Sequence, residues 1–299
     1  MSRETSAGTG RPYGLERVCR ILEFPRSTIY AQQARQSAKV VPLHAQRRGP
    51  KPKMPDTDLL AAIRADLQTS PFTGEGHRKV WARLRILRGI RVSRARVLRL
   101  MRENALLSPH RCPQGTPNLH DGTITTDRPN EMWGTDGIRI ETVDEGWVWV
   151  FSAVDHFDAC CVGIHAVKTG NRFAALQPIA QGLKTEFGDT GADAGRGLTL
   201  RMDHGTQYTA DDFLNQVRFW GVAPSFAFVA EPQTNGVAER FNRTLKEQAI
   251  HGRIFKNVEE VRAAVTAFAD RYNRHWRLEK LGFMSPLEAR QAYAMRKAA

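Results

Sequence analysis

The order of apolar and polar positions divides the chain into a helical first part and a second part in which strands and helices follow each other. Between residues 56 and 107, apolar side chains recur every three or four positions, as in an amphipathic helix. Three helices are predicted by Leu59, Leu60, Ile63 and Leu67, by Val80, Trp81, Leu84 and Leu87, and by Val97, Leu98, Leu100 and Met101. We expect Gly89 to end the second helix and Ser93 to cap the third, as in a helix-turn-helix-type domain.

A shorter pair of helices is predicted closer to the N-terminus. Val18, Ile21 and Leu22 have helical spacing. Pro25 then interrupts the pattern, and Ser27 is expected to cap the second helix of the pair. Residues 1–38 therefore predict a short helix-turn-helix-like segment.

The pattern changes to strands after residue 130, where aromatic and β-branched residues dominate. We expect strands over residues 133–140, 147–155, 160–167, 198–203 and 223–228, and helices over residues 171–187, 210–220, 237–250 and 258–275. This order of elements is that of a ribonuclease-H-like α/β fold. The prediction is a mixed five-stranded sheet with flanking helices, preceded by an all-helical region.

Two proline-rich stretches separate these parts. Proline lacks a backbone donor and disfavours helix, so both stretches predict extended linkers. The predicted domains are a helix-turn-helix-like segment (1–38), a basic linker (39–55), a helical domain (56–107), a second linker (108–129), an α/β core (130–290) and a tail (291–299).

The net charge of +13 is unevenly distributed. Residues 1–125 have a balance of +14, whereas residues 126–299 have a balance of −1. This asymmetry favours a nucleic-acid-binding arm on a near-neutral body. A solvated basic surface is the alternative. If the third helix enters a major groove, the side chains expected to face DNA phosphates include Arg78, Lys79, Arg83, Arg94, Arg96 and Arg99.

The composition also excludes some classes of protein. No run of about 18 apolar residues predicts a membrane span, and the polar N-terminus lacks the apolar segment of a secretory signal. The four cysteines form no CxxC pair, so we expect a reducing, cytoplasmic compartment. We expect no zinc, because His110, Cys112 and His120 lack a fourth ligand at metal spacing.

Three acidic residues stand where metal-assisted phosphodiester chemistry would need them. Asp136 lies within the first predicted strand, Asp203 ends the fourth, and Glu239 opens a helix. Mg²⁺ prefers carboxylate oxygens, and phosphodiester cleavage commonly uses two metals about 4 Å apart. Open α/β sheets bind ligands at the carboxyl ends of their strands. One such acid is usually a surface charge, so the hypothesis depends on the three together.

The sequences around these acids, WGTDG, DHGTQYTADDF and TNGVAERFNRTLKEQ, carry a family resemblance. Residues 130–290 resemble the catalytic core of retroviral-integrase-type DDE transposases of bacterial insertion sequences. The hallmark of that family is the spacing of 35 residues found here between Asp203 and Glu239; 66 residues separate Asp136 from Asp203. The segment GHRKVWARLRILRGIRVSRARVLRLMRENALL is similar to the domain that precedes the core in these transposases. The chain most resembles the catalytic second-frame product of a two-frame element.

The resemblance implies a polynucleotidyl transferase that nicks the ends of the element and joins the freed 3′-hydroxyl to target DNA. It implies that Asp136, Asp203 and Glu239 hold two Mg²⁺ or Mn²⁺ ions. It also implies that Lys246 contacts DNA near the scissile phosphate, and Arg243 on the same helix is predicted to bind DNA too. The implied partners are the double-stranded DNA of the terminal inverted repeats and of the target, further copies of the chain, and the product of an upstream frame. The implied location is the nucleoid of a bacterial cytoplasm.

Two other functions remain open from the sequence. One is a DNA-binding regulator with a silent integrase-like core. The other is a ribonuclease H or a resolvase-type nuclease with the same fold, although those enzymes use a different set of four acids.

We also state expectations for several other residues of the core. Asn235 and Gly236 are expected to give Glu239 a flexible entry loop. Asp155 follows a strand but is not a ligand in the family pattern. His204, Gln207 and Tyr208 either line the site or pack locally. Trp276, Arg277 and Leu278 stand where the family commonly has Arg, Pro and His.

Overall fold

The computed structural model describes residues 4–37, 53–108, 125–227 and 235–298. The chain forms two compact units, Met1–Lys53 and Met54–Ala299. The second unit contains both the helical region that follows the first linker and the α/β core. Within the described ranges, no helix combines the length and the apolar character needed to cross a membrane.

The first unit contains two helices, α1 (Leu15–Ile21) and α2 (Arg26–Ser37). The predicted cap at Ser27 is wrong, because Ser27 is the second residue of α2. The carbonyl of Pro25 accepts a hydrogen bond from the backbone N–H of Thr28 (3.1 Å). Proline is favoured at the start of a helix because the first backbone N–H groups have no partner within the helix, so the helix begins directly after Pro25.

Three helices form the helical region, as predicted: α3 (Asp56–Thr69), α4 (His77–Leu87) and α5 (Arg94–Glu103). They share a small apolar core of Leu59, Ile63, Val80, Leu84, Val97, Leu100 and Met101. The capping prediction for Ser93 is confirmed, because its hydroxyl accepts a hydrogen bond from the backbone N–H of Arg96 (3.3 Å).

Arg83 is not on the polar face where the sequence pattern placed it. Its guanidinium is buried and binds the carboxylate of Asp66 at 2.7 Å and the carboxylate of Glu75. Both acids are themselves buried. The amphipathic pattern does not show which polar side chains pair with residues of other elements, so it could not predict that Arg83 is buried.

The core contains one mixed sheet. Its strands are β1 (Met132–Thr142), β2 (Gly146–Asp155), β3 (Cys161–Val167), β4 (Thr199–Met202) and β5 (Ala223–Phe226). The order is β3-β2-β1-β4-β5. The first three strands pair antiparallel, and β4 is parallel to both β1 and β5. This order and these directions confirm the predicted ribonuclease-H-like fold.

Helices cover both faces of the sheet. They are α6 (Arg172–Phe187), α7 (Thr206–Thr209), α8 (Asp211–Phe219), α9 (Gly236–Leu245), α10 (Val258–His275) and α11 (Pro286–Ala298). Alternate residues of β2 point to opposite faces, so Phe151 packs with α6 and α8 whereas Val150 packs with α9 and α10. The sequence pattern did not predict α7 or α11. The helix predicted over 237–250 ends at Leu245 and continues as a π-helical turn, Lys246–Ile250.

The helical region packs directly on the core. Phe72 meets Trp276 edge to face, with ring centroids 4.8 Å apart, and Trp81 meets Phe283 at 5.7 Å. The buried Trp276, at a position that departs from the family pattern, is therefore part of this contact. The tail predicted over 291–299 belongs, up to Ala298, to α11, which packs against α10.

Replacing Arg83 with alanine should destabilise the protein by about 3–5 kcal/mol, because it leaves two buried carboxylates without their partner. The matched control is Arg85→Ala on the same helix, an exposed position whose replacement should cost about 0.5 kcal/mol or less. Urea unfolding of both variants measures the difference. If both substitutions lower the free energy of unfolding by the same small amount, the buried ion pairs of Arg83 contribute little to stability.

Candidate active site

The parallel pairing of β1 with β4 brings two of the three predicted acids together. Gly134 on β1 is paired with Arg201 on β4. Asp136 and Asp203 each lie two residues further along, Asp203 just beyond the last residue of its strand. Neighbouring strands are about 4.8 Å apart, so the register places both carboxylates at the same end of the sheet.

Both carboxylate oxygens of Asp136 are held by the protein. Oδ1 accepts a hydrogen bond from the backbone N–H of Gly137 (2.7 Å), and Oδ2 accepts one from the side-chain amide of Asn242 (2.9 Å). Burial raises the pKa of Asp136, and the negative charge of Asp203 raises it further, whereas Asn242, Gly137 and Lys246 lower it.

Glu239 lies in the first turn of α9 and lines one groove with Asp136. Partial burial raises its pKa, the charge of Asp136 raises it further, and Arg243 lowers it. The charge of Asp136 is thus repelled by Asp203 and acts in turn on Glu239. Among the described residues, no three His, Cys, Asp or Glu side chains are close enough to hold one metal ion.

An open groove of about 380 Å³ lies beside Asp136 and Glu239, and Asp203 is not part of its lining. Its lining residues are Asp136, Ile138, Glu239, Asn242, Arg243, Lys246, Glu247 and His251. The two cations predicted for DNA contact on this helix, Arg243 and Lys246, are both in this set. The groove therefore combines acids suited to a metal with cations suited to phosphate.

Sequence reasoning missed the residues that fix α9 to β1. Asn242 is buried, and besides contacting Asp136 it accepts a hydrogen bond from the hydroxyl of Ser152 on β2 (3.1 Å). Asn235 donates to the backbone carbonyl of Thr135 (3.0 Å). The sequence did contain a sign of this role: positions 235, 239, 242 and 246 recur at helical spacing, so both asparagines share one face with Glu239.

Asn235 and Gly236 were expected to form a flexible entry loop to Glu239, and at Asn235 this expectation is wrong. Asn235 is only 4% exposed, and its side chain is bound to β1. A side chain at Gly134 would place its Cβ 2.7 Å from Oδ1 of Asn235, so glycine at that position is what lets the entry of α9 approach the strand. Residues 228–234, which precede it, lie outside the described residues.

Other predicted neighbours have local roles. His204 stacks on Phe226 with ring centroids 5.2 Å apart, and Tyr208 is fully buried. Asp155 is buried away from the groove, where it binds Arg290 at 2.7 Å. Arg277 is buried and binds Glu288. The candidate zinc ligands His110, Cys112 and His120 lie outside the described residues, so the absence of zinc stays a prediction.

The six basic side chains of the helical region that were predicted to face DNA fall into three groups. Arg78 and Arg94 bind Glu279 of the core, at 2.7 and 3.3 Å. Arg96 and Arg99 bind Asp56 of α3. Lys79, only 14% exposed, lies near Glu75 (3.7 Å) and over the ring of Trp276, and Arg83 is interior. The first two groups reach solvent, whereas Lys79 and Arg83 stabilise the helical region and its contact with the core.

Comparison with known proteins agrees with this geometry. Residues 126–232 and 220–286 match models of the integrase core domain, and residues 56–113 match a model of an HTH-like domain. Among solved structures, the catalytic core domain of BIV integrase is similar with a TM-score of 0.42 and 20% identity, over 57% of this chain and 99% of that chain.

Two curated relatives decide the family. The transposase for insertion sequence element IS629 of Shigella sonnei is 27% identical over 94% of this chain and 93% of its own length. The transposase InsD for insertion element IS2 of Escherichia coli is 32% identical over 78% of each chain. The chain belongs to the insertion-sequence transposases. The resemblance inferred from the residues around the three acids is therefore confirmed, and the core domain of this transposase family includes all three of them.

Replacing Asn242 with alanine should destabilise the protein by about 1–3 kcal/mol, because the buried hydroxyl of Ser152 and the carboxylate of Asp136 each lose a partner. Arg240→Ala, at an exposed position on α9, is the control and should cost about 0.5 kcal/mol or less. Thermal or urea unfolding of the two variants provides the test. If both variants unfold like the unmodified protein, Asn242 does not hold α9 in place.

Proposed function

We propose that this chain is a DNA transposase whose active site is the triad of Asp136, Asp203 and Glu239. Two observations support the proposal: the pairing of β1 with β4 brings the segments of Asp136 and Asp203 next to each other, and Glu239 in the first turn of α9 lines one groove with Asp136. Relatives of matching length are named as transposases of insertion elements. The proposed reaction is cleavage at the ends of the element, followed by strand transfer to target DNA.

The chemistry of the three side chains suits divalent metal ions, although in this structure the three are not close enough to hold one ion together. All three supply carboxylate oxygens, which are the ligands that Mg²⁺ and Mn²⁺ prefer. The charge of Asp203 contributes to the raised pKa of Asp136, and the charge of Asp136 contributes to that of Glu239; a cation would relieve both repulsions. Two such ions, when bound, would supply activation of the attacking oxygen and stabilisation of the leaving oxygen at the scissile phosphate.

The chain's own residues would orient the reactants. Asn242 and the N–H of Gly137 fix the carboxylate of Asp136, so that its remaining lone pairs face the groove. Arg243 and Lys246 line that groove on the same helix as Glu239. Cations in this position would hold the phosphates of the scissile strand next to the triad.

The helical region would supply most of the affinity for DNA. It matches an HTH-like domain, and it lies in the part of the chain that holds the basic excess. Arg78, Arg94, Arg96 and Arg99 are its candidate phosphate contacts, with α5 as the helix that would enter the major groove. The proposed DNA partners are the terminal inverted repeats and the target. Assembly of several copies and a contribution from an upstream frame are part of the same proposal.

Asp136→Asn, Asp203→Asn and Glu239→Gln should each lower metal-dependent cleavage and strand transfer by about a thousandfold or more while DNA binding is retained. The charge of the carboxylate is needed to bind metal, whereas affinity for DNA comes mainly from the basic side chains. The assay uses a labelled duplex that carries an end of the element, with Mg²⁺ or Mn²⁺.

Asp211→Asn is the matched control, since Asp211 is an exposed acid in the first turn of α8 and should be dispensable for cleavage. A triad variant with near-normal strand transfer would remove that residue from the active site. An unmodified protein that binds DNA but never cleaves it under these conditions would favour a regulator with a silent core.

A further inference from the structure

One carboxylate of the core lies among the positive side chains of the helical region. Glu279 receives Nη1 of Arg78 at 2.7 Å and Nη1 of Arg94 at 3.3 Å. Arg94 is the first residue of α5, and Arg78 is the second residue of α4. The neighbouring His77 has a lowered pKa, first because of burial and then because Arg78, Arg94 and Arg102 all act on it. A single negative charge therefore faces a concentrated positive field.

The backbone around Glu279 is fixed to the core. Glu279 begins a 3₁₀ turn that ends at Gly282, whose φ of 65° favours glycine. The side chain of the next residue in the turn, Lys280, donates to the backbone carbonyl of His156 on the core (2.9 Å). The ring of Phe283, immediately after the turn, packs against Trp81 of α4. Glu279 is thus presented to the helical region by an anchored turn.

The contact is accessible to a competitor. The side chains of Arg78, Arg94 and Glu279 are 58%, 49% and 48% exposed. Ion pairs exposed to this extent contribute little stability, and they weaken with salt. Arginine binds carboxylate and phosphate in the same forked geometry, so a DNA phosphate can take the place of the carboxylate.

We propose that Glu279 is an intramolecular competitor of DNA, which occupies Arg78 and Arg94 in the free protein and is displaced by a backbone phosphate when DNA binds. The inference rests on the proposed DNA binding by the helical region. It adds that a residue of the core, Glu279, lowers the affinity for DNA. The consequence is a lower affinity of the free protein for any duplex that uses these two arginines as phosphate contacts.

The test is the affinity of full-length Glu279→Gln for a short duplex of arbitrary sequence, at low salt and without divalent metal. Glutamine keeps the size of the side chain and removes its charge. We expect the affinity to rise about two- to fivefold, the range that corresponds to an exposed ion pair. In the Arg78→Ala/Arg94→Ala background, the same substitution should have no further effect. Glu259→Gln, an exposed acid of α10 paired with Arg262, is the charge control and should leave affinity unchanged.

Unchanged or weaker binding by Glu279→Gln would overturn the inference. An equal gain in the double-alanine background, or an equal gain from Glu259→Gln, would also overturn it, because a general charge effect would then explain the result. Loss of cleavage is not a readout here, so failure of the proposed triad leaves this inference untouched. An unmodified protein that does not bind duplex DNA would overturn both.

Discussion

The close approach of α9 to β1 is the contact on which the site depends. Gly134 leaves room for Asn235, and Asn242 joins the carboxylate of Asp136 to the hydroxyl of Ser152. Because both asparagines lie on one face of the helix, the same face must carry Glu239 toward the strand. The amide of Asn242 also lowers the cost of a buried negative charge at Asp136. One helix–strand contact thus sets the position of two of the three acids.

The second contact of general importance joins the helical region to the core. The aromatic pairs of Phe72 with Trp276 and of Trp81 with Phe283 hold the two together. Gln248, in the π-helical turn after α9, exchanges hydrogen bonds with the backbone of Thr73 at 3.0 and 2.8 Å. The helix that carries Glu239 is therefore continuous with a turn that binds the helical region. The helical region and the helix of Glu239 thus have a short physical connection.

Periodicity predicted most of the architecture. The strands, the helices of the helical region and the long helix α10 follow from local patterns of apolar residues, and α10 was predicted to the residue. The proposed triad was predicted from the positions of its members on the predicted strands and helix and from the family resemblance, and the parallel pairing of β1 with β4 brings the segments of Asp136 and Asp203 together. Contacts between distant residues were missed. Arg83 was placed on a surface because its partners Asp66 and Glu75 come from other elements, and Asn242 resembled an ordinary helix residue until its contacts with the sheet were known.

The central claim is that Asp136, Asp203 and Glu239 bind divalent metal ions. Anomalous X-ray diffraction from crystals of the protein grown with Mn²⁺ and a duplex of the element's end tests it directly. The account predicts anomalous peaks at the shared end of β1 and β4, with all three carboxylates as ligands, and their loss in Asp136→Asn. Peaks at another site, or peaks here that persist unchanged in that variant, would contradict it.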